Sequence, residues 1–123
     1  MKKDKLLVMV PTICANDIGY AENSVFQPGI VIRHKIKNGY FNAVPVFVIG
    51  DDRKSIRWVR LNKNYLKKID AIGIITNTQS QEILTQIENN IGIKLVISNI
   101  NGLEKIVGTT HYPFLIKDGW IFQ

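Results

Sequence analysis

The chain has 123 residues, 46% of them apolar and 21% charged, with a formal net charge of +6. That balance fits one domain with an ordinary core and excludes a disordered or low-complexity chain. The single cysteine, Cys14, excludes an internal disulfide and any metal or redox site built on cysteines within one chain.

Lys2, Lys3 and Lys5 precede an apolar run at residues 6–10, and Ile13-Cys14-Ala15 follows. The run is too short to span a bilayer. A basic start, a short apolar stretch and small residues have the outline of a secretory signal peptide, so residues 1–15 are expected to be a leader removed after Ala15. The alternative is an N-terminal strand at 6–10, which leaves the chain in the cytoplasm. Residues 16–42 read as an arm or peripheral hairpin. Turn signals stand at Pro28-Gly29 and Lys37-Asn38-Gly39, with a short strand at 30–32 between them.

From residue 43 the pattern sharpens. The β-branched and aromatic run at 44–49 predicts a strand buried on both faces, and Gly50-Asp51-Asp52 ends it with an N-cap. Ile56, Val59, Leu66 and Ile69 form a helical stripe, read either as one helix or as two short helices split at Asn62 and Asn64. A second buried strand falls at 71–76. Thr78 and Gln81 have capping-box spacing ahead of a helix burying Ile83, Leu84 and Ile87, closed by Asn89-Asn90. A third strand is expected at 94–97. Asn101 and Glu104 repeat the capping-box spacing before a short helix with Leu103, Ile106 and Val107 inside, and Gly108 stops it. Pro113 opens a strand at 114–116, Lys117-Asp118-Gly119 turns the chain, and 120–122 return as the last strand. The order β-α-β-α-β-α-β-β predicts an α/β fold: a mixed sheet with helices on both faces, parallel strands joined by right-handed crossovers, and a closing antiparallel edge at 120–122.

A helix, Gly108, a short loop, Pro113 directly before an apolar strand and a final hairpin resemble the second half of thioredoxin-like domains. The resemblance implies a cis Tyr112–Pro113 bond and a loop facing the place where such domains carry redox cysteines. Two segments qualify for that place, Gly50-Asp51-Asp52-Arg53 and Asn77-Thr78-Gln79-Ser80, and neither holds a cysteine. Thiol–disulfide exchange needs an attacking thiolate, so residues 43–123 are read as a thioredoxin-like domain without redox activity and with no cofactor. A closer resemblance rests on the run from Val46 through Gly50-Asp51-Asp52, on Trp58, on the segment from Ala71 to Asn77, on Gly102-Leu103, and on Gly108. The segment from His111-Tyr112-Pro113 to Ile116 is its most specific part, and Glu22 to Phe26 with Pro28-Gly29 extend it upstream. On these residues the chain resembles the small exported proteins of integrating conjugative elements, in genomic-island-type conjugative (type IV secretion-like) systems. That family is itself similar to thioredoxin-like pilus-assembly proteins. The resemblance implies a periplasmic, non-enzymatic role with envelope proteins of the conjugation apparatus as partners, and it supplies no catalytic residues.

Two surfaces stand out. Arg53, Lys54, Arg57, Arg60, Lys63, Lys67 and Lys68 occur with no acidic residue among them, a field that attracts nucleic acid, an anionic membrane surface or an acidic protein. The plainer reading is a solvated basic helix. Asp51, Asp52, Asn77, His111, Tyr112, Pro113 and Trp120 are expected around the proline loop, either as a recognition groove at the sheet's carboxyl edge or as ordinary packing. Helix capping accounts for Asp51 or Asp52 better than a metal site does, because only His34 and His111 are available as histidine ligands. The apolar strand at 120–122 leaves dimerisation open.

Overall fold

The computed structural model describes residues 25–36, 44–78 and 80–123. The expected leader at 1–15, the rest of the upstream segment to residue 24, the turn at Lys37-Asn38-Gly39 and Gln79 lie outside the described residues.

A six-stranded mixed sheet organises the molecule. In chain order its strands are β2 (His34–Lys35), β3 (Val46–Ile49), β4 (Ile72–Ile75), β5 (Leu95–Ile97), β7 (Phe114–Lys117) and β8 (Trp120–Phe122). Across the sheet they run β2-β8-β7-β3-β4-β5. β3, β4 and β5 are parallel, while β7, β8 and β2 are each antiparallel to their inner neighbour. Helices α1 (Arg53–Lys68), α2 (Gln81–Ile91) and α3 (Glu104–Val107) fill the connections, so β alternates with α as expected from residue 46 onward. A separate two-residue parallel pair joins β1 (Gln27–Pro28) to β6 (His111–Tyr112).

Alternation along the strands divides the core in two. Phe47, Ile49, Ile75, Leu95 and Leu115 face α1 and α2, packing on Val59, Leu66, Leu84, Ile87 and Ile91. Val48, Phe114, Ile116 and Ile121 face the other way, onto Val107 of α3 and onto Phe26, Val31 and Ile36. All four residues of β3 are buried, which is why its sequence is an unbroken apolar run.

Helix α1 is a single helix, not divided at Asn62 and Asn64. Asn62 turns its Nδ2 back to donate to the Trp58 carbonyl at 2.8 Å, so its side chain joins the helical ladder instead of breaking it. Asp52 is the N-cap, its Oδ2 accepting from Ser55 N at 3.0 Å. Asp70 closes the helix in the left-handed region at φ 55°, with Asp70 N donating to Lys67 O and Ala71 N to Leu66 O, the two bonds of a Schellman motif. The caps of the later helices also differ from expectation. Ser80, and not Thr78, caps α2, accepting from Ile83 N at 3.1 Å. No side chain caps α3, where Glu104 instead accepts from Gly102 N.

The hairpin turn is as short as a hairpin allows. Lys117 pairs with Trp120, leaving Asp118 and Gly119 as a two-residue loop with φ 54° and 80°, the geometry of a type I′ turn. Two expectations at the sheet's margin are corrected. The residues at 30–32 form no strand, and Ile30 and Ile32 are exposed. Nor is 120–122 an edge: β2 pairs outside it, and the flanks are β2 and β5. The described upstream segment is not a self-paired hairpin, because β1 and β2 each pair with the C-terminal part of the chain.

Candidate functional site: the Pro113 loop and the α1 cleft

The Tyr112–Pro113 bond is cis and stands directly before β7. Because β7 pairs with β3, the loop lies beside the end of β3, where Gly50, Asp51 and Asp52 lead into α1. Tyr112, almost fully buried, bridges the two. A Cβ built on Gly50 would stand 2.6 Å from Tyr112 Cε1 and 2.8 Å from both the Tyr112 hydroxyl and Asp52 Oδ1, so the glycine is what lets the ring approach. Gly50 N donates to Ser55 Oγ at 3.0 Å, which ties the strand end to the first turn of α1.

Asn77 completes the cluster from the end of β4. It sits in the left-handed region at φ 58°, and its Nδ2 donates to the Tyr112 hydroxyl at 2.8 Å and to Phe26 O at 3.1 Å. Burial raises the Tyr112 pKa above its ordinary 10.0; the Asn77 hydrogen bond works against this, and the charges of Asp52 and Asp51 reinforce it. The phenol is therefore held neutral. Asp52 Oδ1, Thr76 Oγ1 and Thr78 Oγ1 are buried here without a protein partner.

Of the residues expected around this loop, the structure brings together Asp52, Asn77, Tyr112 and Pro113, with Asp51 adjacent. They form a packed joint, with Tyr112 and Pro113 buried in place of an open groove. His111 lies beneath the upstream segment: its Nδ1 faces Gln27 O at 3.4 Å, and a Cβ on Gly29 would come within 2.6 Å of that nitrogen. Trp120 does not belong to the joint. It pairs with Lys117 and Lys35 at the turn end of the hairpin, a four-residue strand away from Pro113. The sequence placed it around the loop; the direction of β7 carries it off.

Several parts of the joint were not foreseen. Gln27 N donates to Thr110 O and Gly29 N to Tyr112 O, both at 3.0 Å, so the backbone edge beside Pro113 is occupied by the chain's own residues 27–29. Gln123 fastens the same segment: its Nε2 donates to Gly29 O at 2.8 Å and Pro113 O at 2.9 Å, and its Oε1 accepts from Val31 N at 3.2 Å. Among the described residues no group of three His, Cys, Asp or Glu side chains is placed to hold a metal ion, and no helix is long and apolar enough to cross a membrane.

The second surface lies along α1. Arg53, Lys54, Arg57, Arg60, Lys67 and Lys68 are exposed and Lys63 is half-buried, opposite the buried stripe of Ser55, Val59 and Leu66. On one side of this helix a cleft of about 180 Å³ opens toward β7 and β8, lined by Trp58, Asn62, Tyr65, Leu66, Leu115, Phe122 and Gln123. At its rim the Arg33 guanidinium lies over two rings, 5.0 Å from the Phe122 centroid and 5.5 Å from that of Trp120. Sequence reasoning found the cations of α1 but missed Arg33, which acquires its place only because β2 pairs with β8.

No curated protein and no solved structure matches the chain. A family model described as "Protein of unknown function (DUF2859)" matches residues 21–121, which takes in the Tyr112 cluster, five of the seven residues lining the cleft and the whole sheet apart from Phe122, and the chain belongs to that family.

Proposed function

We propose that the chain is a non-catalytic, exported adaptor with a thioredoxin-like fold that assembles or supports a conjugative transfer apparatus through protein–protein contacts. The observation that carries this reading is the content of the Pro113 joint. The segment opening α1 beside that loop is Gly50-Asp51-Asp52-Arg53, where the domains it resembles place redox cysteines. Asp52 there serves as a helix cap, and the Tyr112 hydroxyl is committed to Asn77. With no sulfur nucleophile, thiol exchange has no first step. The chain's own residues 27–29 take up the neighbouring backbone edge, which leaves outer surfaces for recognition. Capture of the tagged protein from conjugating cells is expected to recover periplasmic components of the transfer machinery; recovery of cytosolic proteins alone would refute the reading. N-terminal sequencing of the protein from periplasmic fractions is expected to begin after Ala15.

A second reading, an accessory protein that binds nucleic acid or an anionic surface, is favoured by α1, whose cations have no ion-pair partner among the described residues. Its test is a titration with single- and double-stranded DNA over a salt series. Binding that weakens steeply as salt rises supports it, and no binding at low salt removes it.

A further inference from the structure

We infer that the cleft between α1 and the β7–β8 hairpin is a docking site for an acidic peptide segment carrying an apolar anchor. Trp58, Leu66, Leu115 and Phe122 give the cleft an apolar part beside the polar Asn62 and Gln123, and its volume of about 180 Å³ suits one or two large side chains. Tyr65, 45% exposed, stands at the mouth, and Leu61 one helical turn earlier is 76% exposed, so the lip on the α1 side is apolar as well. The opposite lip is cationic. Arg33 is exposed, has no carboxylate partner among the described residues, and is steadied by the rings of Phe122 and Trp120; Lys35 stands beside Trp120 across the β2–β8 pair. An apolar slot with a pre-positioned guanidinium at its edge is complementary to an apolar side chain flanked by carboxylates.

The same geometry disfavours single-stranded nucleic acid in this cleft. Bases would need free aromatic faces; Arg33 already covers Trp120 and Phe122, which leaves Tyr65 as the exposed ring at the mouth. Five of the seven α1 cations, Arg53, Arg57, Arg60, Lys63 and Lys67, lie more than a quarter turn round the helix from Trp58 at about 100° per residue, and only Lys54 and Lys68 lie nearer.

Trp58 lines the site and Trp120 lies under Arg33 at its rim, so intrinsic fluorescence reports on it. The probe is a short synthetic peptide of glutamates and aspartates around a central Leu-Phe pair. A saturable change in emission is expected. Replacing the acids by glutamine, or Leu-Phe by serines, is expected to weaken binding about tenfold or more. Arg33→Glu and Tyr65→Glu, both at exposed positions, are expected to weaken it similarly while the melting curve is unchanged. Peptide binding that survives both variants would overturn the inference, as would oligothymidine binding in preference to the peptide with loss in Arg33→Glu.

The inference deepens the adaptor reading and rests on it for its biology, yet the two fail separately. Undiminished capture of transfer-apparatus proteins by Arg33→Glu would sink the cleft and leave the adaptor standing. Peptide binding with no such capture would uphold the cleft and remove the apparatus.

Discussion

Tyr112 occupies the space that a side chain at position 50 would need, and its hydroxyl is served by Asn77. Gly50→Ala forces the ring or Asp52 aside and is expected to destabilise the fold by about 1–3 kcal/mol, read from denaturant midpoints. Tyr112→Phe keeps the ring and loses one hydrogen bond, at a cost of about 1 kcal/mol. The pH dependence follows from the same residue. Its folded pKa is raised, so the stabilisation is fully present below the ordinary phenol value of 10.0 and is lost as pH rises through the folded value. Alkaline unfolding of the native chain is therefore expected to lose a component in Tyr112→Phe, followed by circular dichroism between neutral pH and the alkaline transition. The sequence grouped Asp51, Asp52, Asn77, Tyr112 and Pro113 around one loop through a resemblance, but the approach of Tyr112 over Gly50 and its bond to Asn77 were not legible. His111-Tyr112-Pro113 marked the loop and Gly50-Asp51-Asp52 the strand end, but their meeting depends on β7 pairing beside β3, a contact between residues far apart in the chain.

The elements were more legible than their ends. β3 announced itself because every side chain along it is buried, and the Asp118-Gly119 turn because a two-residue loop needs positive φ at both positions. Helix boundaries depended on which of several competent side chains wins the cap. Thr78 and Ser80 both suit the role; Ser80 takes it at α2, while the Thr78 hydroxyl is buried without a protein partner. At α1 the cap is unambiguous, since Asp52 Oδ2 accepts from Ser55 N while Ser55 Oγ accepts from Gly50 N. Asp52→Ala is expected to cost about 0.5–2 kcal/mol, and Asp52→Asn distinctly less, as measured by thermal or urea unfolding. β1 and β2 were illegible for a different reason. Two-residue strands have no period to detect, and they exist only because distant partners supply the ladder.

At the scale of the molecule, the sheet is unevenly secured. β3 is paired along four residues with β4 and along three with β7, with both faces buried, whereas β1 and β2 are each held by two-residue pairings. Hydrogen exchange is expected to show the slowest amides in β3, β4 and β7 and early opening at residues 27–36; uniform protection across both groups would contradict this. Gln123→Ala removes two hydrogen bonds to that early segment, at Gly29 and Val31, and a third to Pro113, and is expected to speed exchange at Val31 with little change in β3. The segment at 27–36 also has a history. Its partners, Thr110, Tyr112, Gly119, Ile121 and Gln123, are all made much later than it is. During synthesis Phe26, Val31 and Ile36 must therefore wait for Phe114 and Ile121 to emerge from the ribosome before they find cover. A chain broken off before Phe114 would leave Phe26, Val31 and Ile36 without that shelter, a ready substrate for chaperones and proteases.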